Sequence, residues 1–164
     1  MPELSSVDRT ASYDELREQA RALFADESDA LANAANLVAL LFWGLPDLNW
    51  AGFYFLRGNE LVLGPFQGKV ACVRIALGKG VCGTAAQRRE ILVVPDVQAF
   101  PGHIACDAAS QSEIVIPLIQ GDRVFGVLDL DSPKLERFGA IDAAGLKACV
   151  QEYLRASELS TLLP

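Results

Sequence analysis

EIVIPLIQGDRVFGVLDLD, residues 113–131, reads as two apolar strands around a tight turn. Glu113–Ile119 and Arg123–Asp131 carry the apolar runs, and Gln120-Gly121-Asp122 between them has the turn chemistry of a β-hairpin. The pair decides the fold class. Hairpin-linked strands are antiparallel, whereas parallel neighbours need a long crossover, usually a helix. The spacing also places Asp129 and Asp131 on one face of the sheet, with Glu113 roughly opposite Asp129.

Working outward, Asn49–Leu56 reads as a strand with Trp50, Gly52, Tyr54 and Leu56 on one face and Ala51, Phe53 and Phe55 on the other. Arg57-Gly58-Asn59 is a second hairpin turn, into a strand at Glu60–Leu63. Ala71–Ala76 and Ile91–Val94 are further strands, with a short helix near Val81–Arg88 between them. Ser12-x-x-Glu15 is a capping box ahead of Leu16, Ala20, Leu23 and Phe24 at helical spacing. A second helix starts near Ser28 with Leu31, Ala35, Val38 and Phe42 on one face, and a last one covers Asp142–Glu158 with Leu146, Val150, Tyr153 and Leu154 inward. The stretch 95–111 lacks a period and reads as a long, functional loop. The expectation is an α+β domain with a central, mostly antiparallel sheet and the N- and C-terminal helices on one face.

The length of 164 residues fits one domain over 1–164 that needs no disulfide or metal to fold, with 1–11 a flexible N-terminal segment. A formal charge of −7, from 14 basic and 21 acidic residues, argues against nucleic acid and anionic membranes as partners. No apolar leader opens the chain and no apolar run approaches the ~18 residues of a membrane span. The expected location is the cytoplasm, where structural disulfides are rare and clustered cysteines are more often redox-active or metal-binding.

Cys72, Cys82 and Cys106 form such a cluster. Cys106 lies in a loop rich in small residues beside Asp107 and shortly after His103. Cys82 sits at a helix start, where free N–H groups favour a thiolate. Cys72 begins a strand and serves as core or as a resolving thiol, and Cys149, mid-helix, reads as structural. No metal is expected: zinc cysteines come in close pairs, and the chain has a single histidine. Gly78-Lys79-Gly80-Val81-Cys82-Gly83 spells a dinucleotide fingerprint, but its surroundings are not βαβ, so it reads as a tight strand-to-helix turn and no cofactor is expected. Glu113, Asp129 and Asp131 are either a solvated strand end or a pocket for an ammonium group with one acid kept protonated. Trp50 and Tyr54 are core, or an apolar wall for a small ligand.

NWAGFYFL, LGPFQGKVACVRIALGKGVCGTAA, HIACDAASQSEIVIPL and GVLDLDS together resemble the free methionine-(R)-sulfoxide reductases, which have a GAF-type fold. The likeness runs from about Tyr13 to the last helix; Gln111 and Val70 replace residues common in the family. It implies an enzyme that reduces free L-methionine-(R)-sulfoxide, with Cys106 as nucleophile, Cys72 as main resolving cysteine and Cys82 as a substrate-contact or secondary resolving position. It further implies that Trp50 and Tyr54 cradle the substrate methyl group, and that Glu113, Asp129 and Asp131 surround the sulfoxide and amino groups. A sulfenic acid on Cys106, an intramolecular disulfide, recycling by thioredoxin and a homodimer belong to the same implication. The alternative is a non-enzymatic GAF module that binds a small signalling ligand. A reductase of peptide-bound sulfoxide is disfavoured by the acid cluster.

Overall fold

Alternation along the strands divides the chain into two apolar layers. Ala51, Phe53 and Phe55 point to one face with Ile114, Ile116, Leu118, Leu128 and Leu130, while Trp50, Tyr54, Val115 and Val127 point to the other. Each large side chain buried this way contributes about 1.5–3 kcal/mol. The computed structural model describes residues 6–104 and 107–162. Helices α1 (Ser6–Phe24) and α2 (Ala30–Gly44) precede strands β1 (Trp50–Arg57), β2 (Glu60–Gly68) and β3 (Arg74–Ala76). Helix α3 (Gly80–Arg88), strand β4 (Leu92–Val94) and a 3-10 turn at Val97–Ala99 follow. Strands β5 (Ser112–Gln120) and β6 (Arg123–Ser132) form the expected hairpin, helix α4 (Ala140–Ala156) comes next, and a 3-10 turn at Leu159–Leu162 ends the described chain. The sheet order is β3-β2-β1-β6-β5-β4, antiparallel at every pairing. Helices α1, α2 and α4 cover one face, and α3 packs on the other. No described helix is long and apolar enough to cross a membrane.

Helix α4 turns Leu146, Val150, Tyr153 and Leu154 inward as expected, with Cys149 buried among them. It starts two residues before Asp142, which serves as a cap: the Gly139 N–H donates to Asp142 Oδ2 at 2.8 Å. The other oxygen, Oδ1, accepts from the Tyr13 hydroxyl at 2.7 Å and from Arg137 at 3.1 Å, which ties α1 to the start of α4. Helix α2 corrects the sequence reading. Its buried face is Ala30, Asn33, Ala34, Leu37, Val38 and Leu41, while Leu31 and Ala35 are exposed. ALANAANLVALLFWG is apolar nearly all round, so its periodicity does not choose a face. Leu23 of α1 is likewise exposed rather than inward. Helix α1 begins at Ser6, ahead of the Ser12 capping box, and the first five residues of the expected flexible segment lie outside the described residues.

Two irregularities in the sheet set the site. Strand β2 runs past Leu63 to Gly68 because the register between Gly52 and Tyr54 shifts: Gly52 faces Phe66 but Tyr54 faces Leu63. Gly64 and Pro65 therefore oppose Phe53 alone, a bulge that tolerates a proline without an N–H. In the hairpin, Ile119 faces Val124 but Leu118 faces Gly126, so Phe125 is an extra residue on β6. Glu113 consequently faces Asp131, and Asp129 faces Val115. The expected Glu113–Asp129 pairing is thus off by two residues. The bulge decides which side Glu113 occupies. Continuing the turn-side register without it would set Glu113 against Leu130, on the helix-covered face.

Candidate active site

The site is built on the sheet face opposite α1, α2 and α4. Its floor is acidic. Glu113 and Asp129 are buried, and Asp131 is half-buried beside them. In β1, Trp50 is opposite Asp131 and Gly52 opposite Asp129. A Cβ on Gly52 would overlap the Trp50 ring, so the glycine is what lets that indole lie flat along the strand. The ring stacks on Tyr54 at 6.0 Å and on Phe66 at 5.5 Å between centroids. Phe66 thus packs on the Trp50 ring without lining the pocket, a support the sequence reading did not include. Phe66 was missed because Gly64-Pro65 appeared to end its strand. The wall is anchored at its polar tips: Trp50 Nε1 donates to Lys69 O at 3.1 Å and the Tyr54 hydroxyl donates to Cys72 O at 2.8 Å.

The second bond holds the segment of Cys72 against the wall. This cysteine lies two residues before β3, outside the strand it was expected to begin, because β3 starts only at Arg74. It is disulfide-bonded, while Cys82 and Cys149 are free. Ala105 and Cys106 lie outside the described residues, so the nucleophile expected at Cys106 falls there. The flanking loop is described on both sides. His103 Nε2 stands 3.7 Å from Glu113 Oε2. Asn49 donates from Nδ2 to Asp107 Oδ2 at 3.2 Å and to Ser110 Oγ at 3.1 Å, which pins the loop to the start of β1. Asn49 had one sequence signal: it is the polar residue directly ahead of Trp50 in NWAGFYFL.

Cys82 is the third residue of α3, and its Sγ lies 3.9 Å from Glu113 Oε1. Its environment reverses the expected thiolate. Burial and then the charges of Asp129, Glu113 and Asp131 push the thiol up, so it keeps its proton. The helix start does not outweigh burial and three neighbouring acids. Those acids also strain each other. Burial, then Asp131 and Glu113, raise Asp129 well above the usual carboxylate range; burial, then Glu113 and Asp107, raise Asp131. A buried oxygen of Asp129, Oδ1, has no hydrogen-bond partner among the described residues. Among the described residues no Lys or Arg pairs with the cluster, and His103 is its sole ion-pair partner. Glu113 and Asp129 are buried rather than solvated, which counts against the reading of the acids as a solvated strand end.

This arrangement has a stability cost with a definite sign. The folded protein holds protons on Asp129 and Asp131 that the unfolded chain releases near the ordinary carboxylate pKa. Stability therefore falls as pH rises from that value through the raised folded values. Asp129→Asn is expected to stabilise the protein by about 0.5–2 kcal/mol at pH 8, as relief of an active-site conflict commonly does. The gain should shrink toward pH 4. Thermal unfolding at the two pH values checks this; an equal or larger gain at low pH would contradict it.

The antiparallel sheet has helices on one face and this pocket on the other, and residues 8–152 match the GAF domain family, so the chain is a GAF domain. The chain is 51% identical over 146 residues to the free methionine-R-sulfoxide reductase of Escherichia coli, covering 89% of this chain and 88% of that one. Its structure superposes with a TM-score of 0.90 on the free methionine-R-sulfoxide reductase of Neisseria meningitidis in complex with its substrate, at 42% identity over 98% of this chain and 97% of that one. The reduced form of fRMsr of Staphylococcus aureus gives a TM-score of 0.85 at 50% identity, over 88% of this chain and 94% of that one. The chain belongs to the free methionine-R-sulfoxide reductase family.

Proposed function

We propose that this chain reduces free L-methionine-(R)-sulfoxide to methionine, using Cys106 as nucleophile and Cys72 as resolving thiol. The observation that carries the reading is the acid cluster of buried Glu113 and Asp129 with half-buried Asp131 below the Trp50–Tyr54 wall, with disulfide-bonded Cys72 held to that wall. The ammonium of a free amino acid supplies the positive charge the acids lack, and the rings accept its methyl end. Peptide-bound methionine has no such charge at that position.

The Cys106 thiolate attacks the sulfoxide sulfur, and the Asp131 carboxyl, pushed up by burial, Glu113 and Asp107, donates its proton to the oxygen. Methionine leaves and Cys106 becomes a sulfenic acid. Cys72 condenses with it, forming a disulfide and releasing water. The free state of Cys82 and Cys149 beside a bonded Cys72 supports this pairing over one through Cys82. A dithiol of the thioredoxin type then returns two electrons by thiol–disulfide exchange, which places the enzyme in a reducing compartment such as the cytoplasm. Exposed Leu23, Leu31 and Trp43 on α1 and α2 support pairing of two subunits.

Mass spectrometry tests the reading directly. Reduced protein mixed with free methionine-(R)-sulfoxide is expected to lose two hydrogens and yield free methionine, while N-acetylmethionine sulfoxide leaves its mass unchanged. Unchanged protein mass with retained ligand would instead identify a non-enzymatic binding module, and equal reaction with the acetylated compound would remove the role given to the ammonium.

A further inference from the structure

We propose that the pocket also binds a divalent transition-metal ion of the Zn²⁺ type through Cys82, Glu113 and Asp129, in competition with the sulfoxide. The competition rests on the function proposed above; the metal site itself does not. One ligand atom from each residue lies within 4.8 Å of the other two, and all three side chains are buried. Four-coordinate zinc holds sulfur at about 2.3 Å and oxygen at about 2.0–2.2 Å, so its ligands stand roughly 3.5 Å apart. Cys82 Sγ and Glu113 Oε1, at 3.9 Å, are already near that spacing. Asp129 supplies a second, independent sign: its buried Oδ1 has no hydrogen-bond partner among the described residues.

The chemistry selects the ion. Ca²⁺ and Mg²⁺ take oxygen ligands, whereas a thiolate with carboxylates suits zinc-like ions. On binding, Cys82 and Asp129 each release their proton to solvent, sulfur–metal and oxygen–metal bonds form, and no electrons move. The ion then offsets the charge of one thiolate and two carboxylates, with which no lysine or arginine pairs among the described residues. The fourth position falls to water or to His103, whose Nε2 lies 3.7 Å from Glu113 Oε2. The chain lacks the closely spaced cysteine pairs of common zinc sites. The fold instead gathers one ligand each from α3, β5 and β6. Cys82 is free, and the proposed disulfide couple does not use it.

The test is a Co²⁺ titration of the disulfide form, in which Cys72 offers no thiol. One equivalent is expected to bind with a thiolate-to-cobalt charge-transfer band, and Zn²⁺ should displace it. Cys82→Ser should abolish the band and weaken binding about a hundredfold, at the upper end of what even an outer partner of a metal contributes. Asp129→Asn, with its fold verified by circular dichroism, should weaken binding by at least about tenfold. Free methionine should lower the apparent Co²⁺ affinity in wild type. A band that survives Cys82→Ser, or that disappears in Cys149→Ser, overturns the proposal, as does binding indifferent to methionine. Cobalt binding without sulfoxide reduction would leave the metal site standing and sink the reductase reading; reduction without cobalt binding would do the reverse.

Discussion

Cys106→Ser is expected to abolish turnover of free methionine-(R)-sulfoxide in a thioredoxin-coupled NADPH assay. Replacing a nucleophile removes the covalent step itself, and losses on the order of a millionfold follow when nothing else takes its role. Cys82 cannot take it, because the surrounding acids and burial keep its thiol protonated. Cys149 lies on the other side of the sheet, in the helix-covered core. The resolving variant separates chemistry from recycling. Cys72→Ser should release about one equivalent of methionine and then stall. Wild-type turnover by Cys106→Ser would show that the wrong cysteine was chosen. Normal recycling by Cys72→Ser, lost only when Cys82 is also replaced, would transfer the resolving role to Cys82.

Gly126→Ala is expected to be the most damaging single methyl addition in the sheet. Gly126 follows the extra residue Phe125 and has φ 154, and a Cβ there would collide with the Tyr54 carbonyl oxygen on the neighbouring strand. The neighbouring atom is backbone, so no side chain can swing aside. Overpacking and backbone strain each cost about 1–3 kcal/mol. A combined loss of about 3 kcal/mol lowers the melting temperature by roughly 6–12 °C in a domain of this size. Activity should fall more than stability explains, because this bulge keeps Glu113 on the face of Asp129 and Asp131. A variant that melts like wild type, with full activity, would show that the sheet absorbs the methyl group without moving.

The alternation of residues 49–56 and 113–131 was readable because a strand with one face under helices and one on a pocket repeats every two residues. Asp129 and Asp131 share a face for the same reason. Helix α2 was not readable in the same way: with apolar residues all round, only its neighbours choose between Leu31 and Ala30 as the inward position. Phe66 was hidden by Gly64-Pro65, which resembles a strand end until a bulge in the ladder makes room for it. Asn49 was hidden because its partners, Asp107 and Ser110, are distant in sequence.

The hairpin at residues 113–131 shows where local information stops. Its residue types determined that two antiparallel strands form and that acids gather at their open end, since turn chemistry and side-chain period are local properties. Whether Glu113 joins those acids depends on one extra residue at Phe125, tolerated because Gly126 fits against Tyr54 of β1. The protonation of Cys82 was equally a tertiary matter. A helix start is visible in sequence, but the three carboxylates that overrule it arrive from β5 and β6, and electrostatics in a buried pocket follows distance in space rather than distance along the chain.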